Sequence, residues 1–274
     1  MQIEVERWPE LRDPVLVVAL SGWVDAGLAG AGAAAVLTEQ LESARHFGRV
    51  DLSDALDLQQ TRPTVKLVEG TTREISWPSI DLVAGRAARD VVLCVGPEPS
   101  VRWRVFTEQL VEAARRLGIE RAVMLGGMPA VVSHRRPVSV LVTATSPSLA
   151  QEAGAVRTDY TGPTGAQTVL QVALGGAGVP AIGLWAQVPH YVSGNPSPPA
   201  IRAVLERLRE VAGVQADLAG LDAQADDYVE RVEKGLADRP DVAELVQAIE
   251  AGAPDLPSGD ELASEIERFL RDQG

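Results

Sequence analysis

The sequence predicts an α/β protein built on a mainly parallel sheet with flanking helices, followed by a helical C-terminal extension. Three observations carry this. Short continuous apolar runs, bounded by turn residues, recur along the first 212 residues, as strands buried on both faces require. Each major run is followed by a loop and a stretch of helical periodicity, the alternation that gives parallel strands with helices on both faces. After Gly213 the apolar runs stop and acidic helical sequence takes over. The reading divides the chain into 1–212 and 213–274.

The first unit is Val15-Leu-Val-Val-Ala-Leu20, then the loop Ser21-Gly-Trp-Val-Asp-Ala-Gly27, then a helix of small residues over 28–42. Residues 49–60 read as a short strand and a polar loop. Two β-rich runs flank Gly70-Thr71-Thr72 and predict a hairpin, stopped by Pro78. Residues 80–89 read as a helix. Val91-Val-Leu-Cys-Val95 is a buried strand, and Phe106, Leu110, Ala114 and Leu117 mark the inner face of a helix that ends at Gly118. Arg121-Ala-Val-Met-Leu125 is the next strand, with Gly126-Gly-Met-Pro129 as its loop. A β-branched strand over 138–145, a short helix over 147–153, and a helix opened by Gly162-Pro-Thr-Gly165 complete the approach to the central stretch.

That stretch, 181–200, begins as a buried strand and ends in a proline-punctuated loop. Ser197 suits the N-cap and Pro198 the first position of a following helix. Because ligands of open α/β sheets bind where loops leave strand carboxyl ends, residues 189–195 are the first place to look for a site. Farther on, Val211, Val214, Leu218, Leu221, Ala225, Tyr228 and Val232 form a heptad seam. It fits either a helix folded back on its own domain or an intermolecular coil. Two shorter helices follow, divided by Pro240 and by the stretch 253–259.

Composition narrows the function classes. Residues 215–274 hold 16 acidic and 5 basic side chains, so most of the net charge of −13 sits there. Such a block is a solvated helical surface or a docking face for a basic partner, and it argues against nucleic acid. No apolar run approaches the ~20 residues of a membrane span, and the N-terminus lacks a signal-peptide core. With a single cysteine, Cys94, a cytoplasmic protein is expected.

Several motifs fail on inspection. Gly22 and Gly27 have P-loop spacing, but Leu28 and Ala29 stand where lysine and a hydroxyl residue are needed. No Gly-x-Gly-x-x-Gly follows any strand, and no Gly-x-Ser-x-Gly nucleophile elbow occurs. His46, His134 and His190 are isolated from one another, so no metal is expected, and no cofactor is called. His134-Arg-Arg-Pro137 reads as an anion-binding loop or as surface arginines. His190 is a possible base but more commonly such a residue bonds a backbone carbonyl. The polar residues at predicted strand ends, Asp25, Glu98, Thr161, Thr164, His190 and Tyr191, form the candidate pocket.

Taken together, several loops resemble the PAC2 family, named for a proteasome assembly chaperone. These are Leu20-Ser-Gly-Trp-Val-Asp-Ala-Gly27, Arg62-Pro63, Gly96-Pro-Glu-Pro99 with Trp103, Leu125-Gly-Gly-Met-Pro-Ala130, Tyr160-Thr-Gly-Pro-Thr-Gly165, and Leu184-Trp-Ala-Gln-Val-Pro-His-Tyr-Val192 with Pro196 and Pro198. One departure is Val132-Ser133, where a proline is expected before the histidine. The resemblance implies a fold similar to the phosphorylase/hydrolase-like fold of purine nucleoside phosphorylases. It also implies a homo-oligomer, for which a trimer is the expectation, and a non-enzymatic scaffold acting on proteasome subunits. The alternative is an enzyme on a nucleoside- or nucleotide-like ligand held at the strand ends. No ATP-grasp nucleotide loop is present.

Overall fold

Strand β2 (Val15–Ser21) shows how the sequence builds the molecule. Val15, Val17 and Ala19 enter one hydrophobic core while Leu16, Val18 and Leu20 enter another, on the opposite face of the sheet. The same alternation repeats in β7 (Arg89–Pro97), β8 (Arg121–Ala130) and β10 (Ala181–Pro189). A strand apolar at every position is therefore one covered on both sides. The computed structural model describes residues 1–156 and 159–252.

The remaining strands are β1 (Gln2–Val5), β3 (Glu42–Asp51), β4 (Thr64–Val68), β5 (Thr71–Ser76), β6 (Ser79–Ala87) and β9 (Val140–Ala144). Eight of the ten form one sheet in the order β1-β3-β6-β7-β2-β8-β10-β9. Its centre, β7-β2-β8-β10, is parallel, and the strands toward both edges are antiparallel. Helices α1 (Ala29–Gln40) and α5 (Pro198–Ala212) cover one face. Helices α2 (Trp103–Leu117) and α4 (Ala166–Gly176) cover the other. The short α3 (Pro147–Glu152) follows β9, with Ser146 accepting a capping bond from the Leu149 N–H.

Residues 80–89, expected as a helix, are strand β6. Ile80, Leu82 and Ala84 are buried at alternate positions while Asp81 is exposed. That period of two, with a tight turn at Ala88 (φ 64°) into antiparallel β7, overrides a composition that helices also tolerate. Gly126-Gly-Met-Pro129, expected as a loop, continues β8, paired in register with Trp185–Val188 of β10. Its glycines are needed because the loop from β2 lies across the strand: a Cβ at Gly127 would run into the Ala26 carbonyl. Residues 2–5, not expected as a strand, form the charged edge strand β1, where Glu4 pairs with Arg49 of β3.

The predicted hairpin forms as β4–β5, turning at Glu69 and Gly70. The heptad seam does not run as one helix. Gly213 closes α5 in the left-handed region (φ 67°), and α6 (Ala219–Leu236) begins six residues later and packs on α5. From α6 the chain passes to α7 (Pro240–Ala251), opened by Pro240. The last expected helix lies outside the described residues.

Candidate functional site

β2 ends at Ser21, and the chain enters α1 through Gly22 and a single helical turn at Ala26–Leu28. Asp25 stands in this connection, 5% exposed. Its Oδ1 accepts the N–H of Gly30 at 2.7 Å and of Ala31 at 3.3 Å, two donors that the first turn of α1 leaves unpaired. Its Oδ2 is buried without a hydrogen-bond partner. Burial pushes this carboxyl up to about 6, against the downward pull of the two backbone bonds.

Glu98 follows β7 and reaches two other elements. Its Oε1 accepts the Ala166 N–H at the start of α4 (2.5 Å), and its Oε2 accepts the Trp23 N–H (3.2 Å). A charged acceptor at a helix N-terminus satisfies an orphan donor and the helix dipole together. Thr161 and Thr164, in the loop before α4, are exposed. His190, just past β10, places Nδ1 3.2 Å from the Ala130 carbonyl at the end of β8. It thereby ties together two adjacent strand ends.

Tyr191 belongs to a separate network. Its hydroxyl accepts the His134 backbone N–H (3.0 Å) and lies 2.8 Å from His134 Nδ1. His134 Nε2 lies 3.0 Å from Glu233 Oε1 on α6. A carboxylate only accepts, so Nε2 carries the hydrogen, and a neutral ring then accepts the Tyr191 O–H at Nδ1. Arg135 grips both oxygens of Glu233, with Nε at 2.5 Å and a terminal nitrogen at 3.0 Å. The guanidinium first, and His134 second, hold the Glu233 carboxyl down at about 2. His134 itself is drawn below its ordinary range by burial, which outweighs the opposing pull of Glu233. Arg136 pairs with Glu250 of α7. The two arginines, which read from the sequence as an anion-binding loop or as surface arginines, are thus paired with the acidic helices α6 and α7.

The six predicted residues therefore fall into three places. Asp25 caps α1, Glu98 stands by the threonine-bearing loop before α4, and His190 and Tyr191 lie beside the 131–139 loop. A cavity of about 260 Å³ does lie at the ends of β8 and β10, and none of the six lines it. Its walls include His134, Gln187, Ser197 and Tyr228. A shallower cavity of about 310 Å³ adjoins it, between α5 and α6. Sequence reasoning missed Glu233 and Tyr228 because both sit in the acidic helical stretch, where periodicity speaks only of packing. The run His134-Arg-Arg was the available signal: two clustered cations followed by an acid-rich segment invite pairing. Among the described residues, no group of three or more His, Cys, Asp or Glu is placed to hold a metal ion. No helix among them is long and apolar enough to cross a membrane.

Comparison with known proteins agrees with the loop motifs. The PAC2 family model matches residues 19–236. A Mycobacterium tuberculosis proteasome-assembly chaperone homologue is 40% identical, with 85% of this chain and 99% of that one covered and a TM-score of 0.78. A PAC2 family protein from Streptomyces avermitilis is also 40% identical, over 85% and 100% of the two chains, with a TM-score of 0.76. At 18% identity, an archaeal proteasome activator from Pyrococcus furiosus shares the fold over 85% and 97% of the chains, with a TM-score of 0.68. Among curated proteins, none matches the chain. With the matched region running from inside the first central strand through α6, the chain belongs to the PAC2 family.

Proposed function

We propose that this protein is a cytoplasmic, homo-oligomeric assembly factor that works by binding other protein chains, proteasome subunits first among them, and not by catalysis. The observation that carries the reading is the β4–β5 hairpin. Every one of its strand residues is exposed. Register places Val65 opposite Ile75, with Leu67 on the same face and Trp77 two residues past Ile75. These four side chains are 53–61% exposed. On the opposite face Lys66 stands across from Glu74, with the smaller Val68, 40% exposed, beside it. An isolated two-stranded hairpin is marginal in water, and an apolar face of four large exposed side chains on it supports a surface that another protein covers. The 40% identical chaperone homologue supports the same reading. So does the bonding of Asp25, Glu98 and His190 to backbone groups of their own chain, which spends on the fold the polar groups that a reaction would need. We take residues 213–274 as an acidic helical extension of the 1–212 domain.

Native mass spectrometry of the purified protein, alone and mixed with purified proteasome α and β subunits of its source organism, tests the proposal. A homo-oligomer and a subunit complex are expected, and Leu67→Ser with Trp77→Ser should weaken one or both. A monomer that binds neither subunit, or binding untouched by those substitutions, overturns it.

A further inference from the structure

The outer face of α4 is a surface that the single chain leaves both uncovered and uncharged. From Tyr160 to Ile201 the sequence has no Asp, Glu, Lys or Arg, and α4 lies within that stretch. By contrast, α2 exposes Arg104, Glu108 and Arg115, and α5 exposes Arg209 and Glu210. Ala166, Leu170 and Leu174 turn one side of α4 to the core, while Thr168, Val172 and Gly176 follow one another at every fourth position on the other side. Val172 is 67% exposed, and Tyr160, in the loop that leads into α4, is 63% exposed.

Gly176 points the same way. It lies within the last turn of α4, and a Cβ built on it would meet nothing within 4 Å. Its own chain has no need of glycine there, and glycine loses more backbone entropy in a helix than alanine does. The space above it serves a group that arrives from outside.

Charge and size identify that group. The chain carries a net charge of −13. Two copies therefore repel where acidic surfaces face one another, and least where one of the surfaces has no charge. The other surface is the β4–β5 hairpin, whose apolar face presents the large side chains of Val65, Leu67, Ile75 and Trp77. Small residues on either side of Val172 give them room. One molecule does not bring the two surfaces together. Its hairpin joins β3 to β6, its α4 packs on β8 and β10, and β7 and β2 stand between these pairs in the sheet. Both surfaces are exposed in the single chain. A contact between two different patches on opposite flanks is heterologous, and it joins copies head to tail.

We propose that the β4–β5 hairpin of one copy packs on the outer face of α4 of the next, and that the copies close into a ring. This contact rests on the homo-oligomeric reading above and names its two surfaces.

Site-directed cross-linking of the full-length protein tests it. Cys94 is fully buried, so cysteines introduced at the exposed positions Ile75 and Val172 are the reactive ones. Ile75→Cys alone, Val172→Cys alone, and the two co-expressed as differently tagged chains are treated with a short bismaleimide and separated on denaturing gels. The co-expressed pair should cross-link between its two kinds of chain, and neither variant should cross-link with itself. A chain carrying both substitutions should give a ladder that stops at the parent's oligomer size in native mass spectrometry. Gly176→Lys and Val172→Lys should each weaken association about tenfold or more. Both should leave the melting of the dissociated chain, measured at low concentration, unchanged. Cross-linking of either cysteine variant with itself, no cross-link in the pair, or association untouched by both lysines overturns the proposal. An oligomer with the wrong cross-links leaves the assembly reading standing, whereas a monomeric parent overturns the homo-oligomer and this contact together.

Discussion

Replacing Asp25 by asparagine isolates the energetic consequence of one buried charge. The aspartate carboxyl is displaced from an ordinary 3.8 to about 6 by burial. A folded-state value above the unfolded one means that the native protein holds its proton more tightly. The associated stability is therefore fully present below about pH 4 and is lost as pH rises through about 6. A displacement of about two pH units is worth about 3 kcal/mol. Asparagine keeps an oxygen for the Gly30 and Ala31 N–H groups and cannot ionise. Urea unfolding of parent and Asp25→Asn at a series of pH values gives the difference in stability directly, and titrations common to both proteins cancel. The gap should move by about 2–3 kcal/mol in favour of the variant between about pH 4 and about pH 7. A gap that stays flat over this range refutes the argument, because it would mean that Oδ2 is hydrated or paired and that Asp25 titrates normally. Asp25→Ala, which also removes both capping bonds, should lose about 1–2 kcal/mol relative to asparagine at any pH.

Other substitutions probe other links in the structure. Gly30→Ala should destabilise by about 1–3 kcal/mol despite alanine's better helix propensity, because a Cβ there would strike the Leu125 carbonyl; thermal unfolding followed by circular dichroism reads it. Glu98→Gln puts an amide donor against either the Trp23 or the Ala166 N–H and should cost about 1–3 kcal/mol in urea unfolding. Cys94 is fully buried, with its thiol pushed up to about 12 by desolvation, so it should resist a thiol reagent in the native protein and react once denatured. Leu67→Ser and Trp77→Ser should leave unfolding of the dissociated subunit, measured at low protein concentration, within about 0.5 kcal/mol of the parent, since both side chains are already exposed in the single chain.

The central sheet was legible in the sequence because a doubly covered strand must be apolar at every position, as 15–20, 91–95 and 181–186 are. Helix ends were equally legible where backbone geometry demands a particular residue: Gly118 and Gly213 both close helices in the left-handed region. Residues 80–89 misled because their small and charged side chains suit a helix, and only pairing with β3 and β7 settles the period. The continuation of β8 through Gly126 and Gly127 was hidden because glycine signals a turn locally, whereas here it makes room for the chain passing over the strand. Of the six candidate pocket residues none lines the cavity at the ends of β8 and β10, and of the stretch 189–195 only Pro189 does. The sequence could not tell which polar groups face that space. Asp25 and Glu98 turn toward helix N-termini, a choice set by three-dimensional neighbours 5 and 68 residues away.

The pairs that fasten α6 and α7 over the strand ends join residues 98 and 114 positions apart. This separation gives the cavity a place in the order of synthesis. The sheet and the four helices against its faces are complete once α5 has emerged, and they can collapse on their own two cores. Tyr228 and Ile249 leave the ribosome only later, so the floor of the cavity exists for a time without its roof. At about 5–20 residues per second, that interval lasts seconds. A nascent chain in this window exposes the ends of β8 and β10 that α6 and α7 later cover.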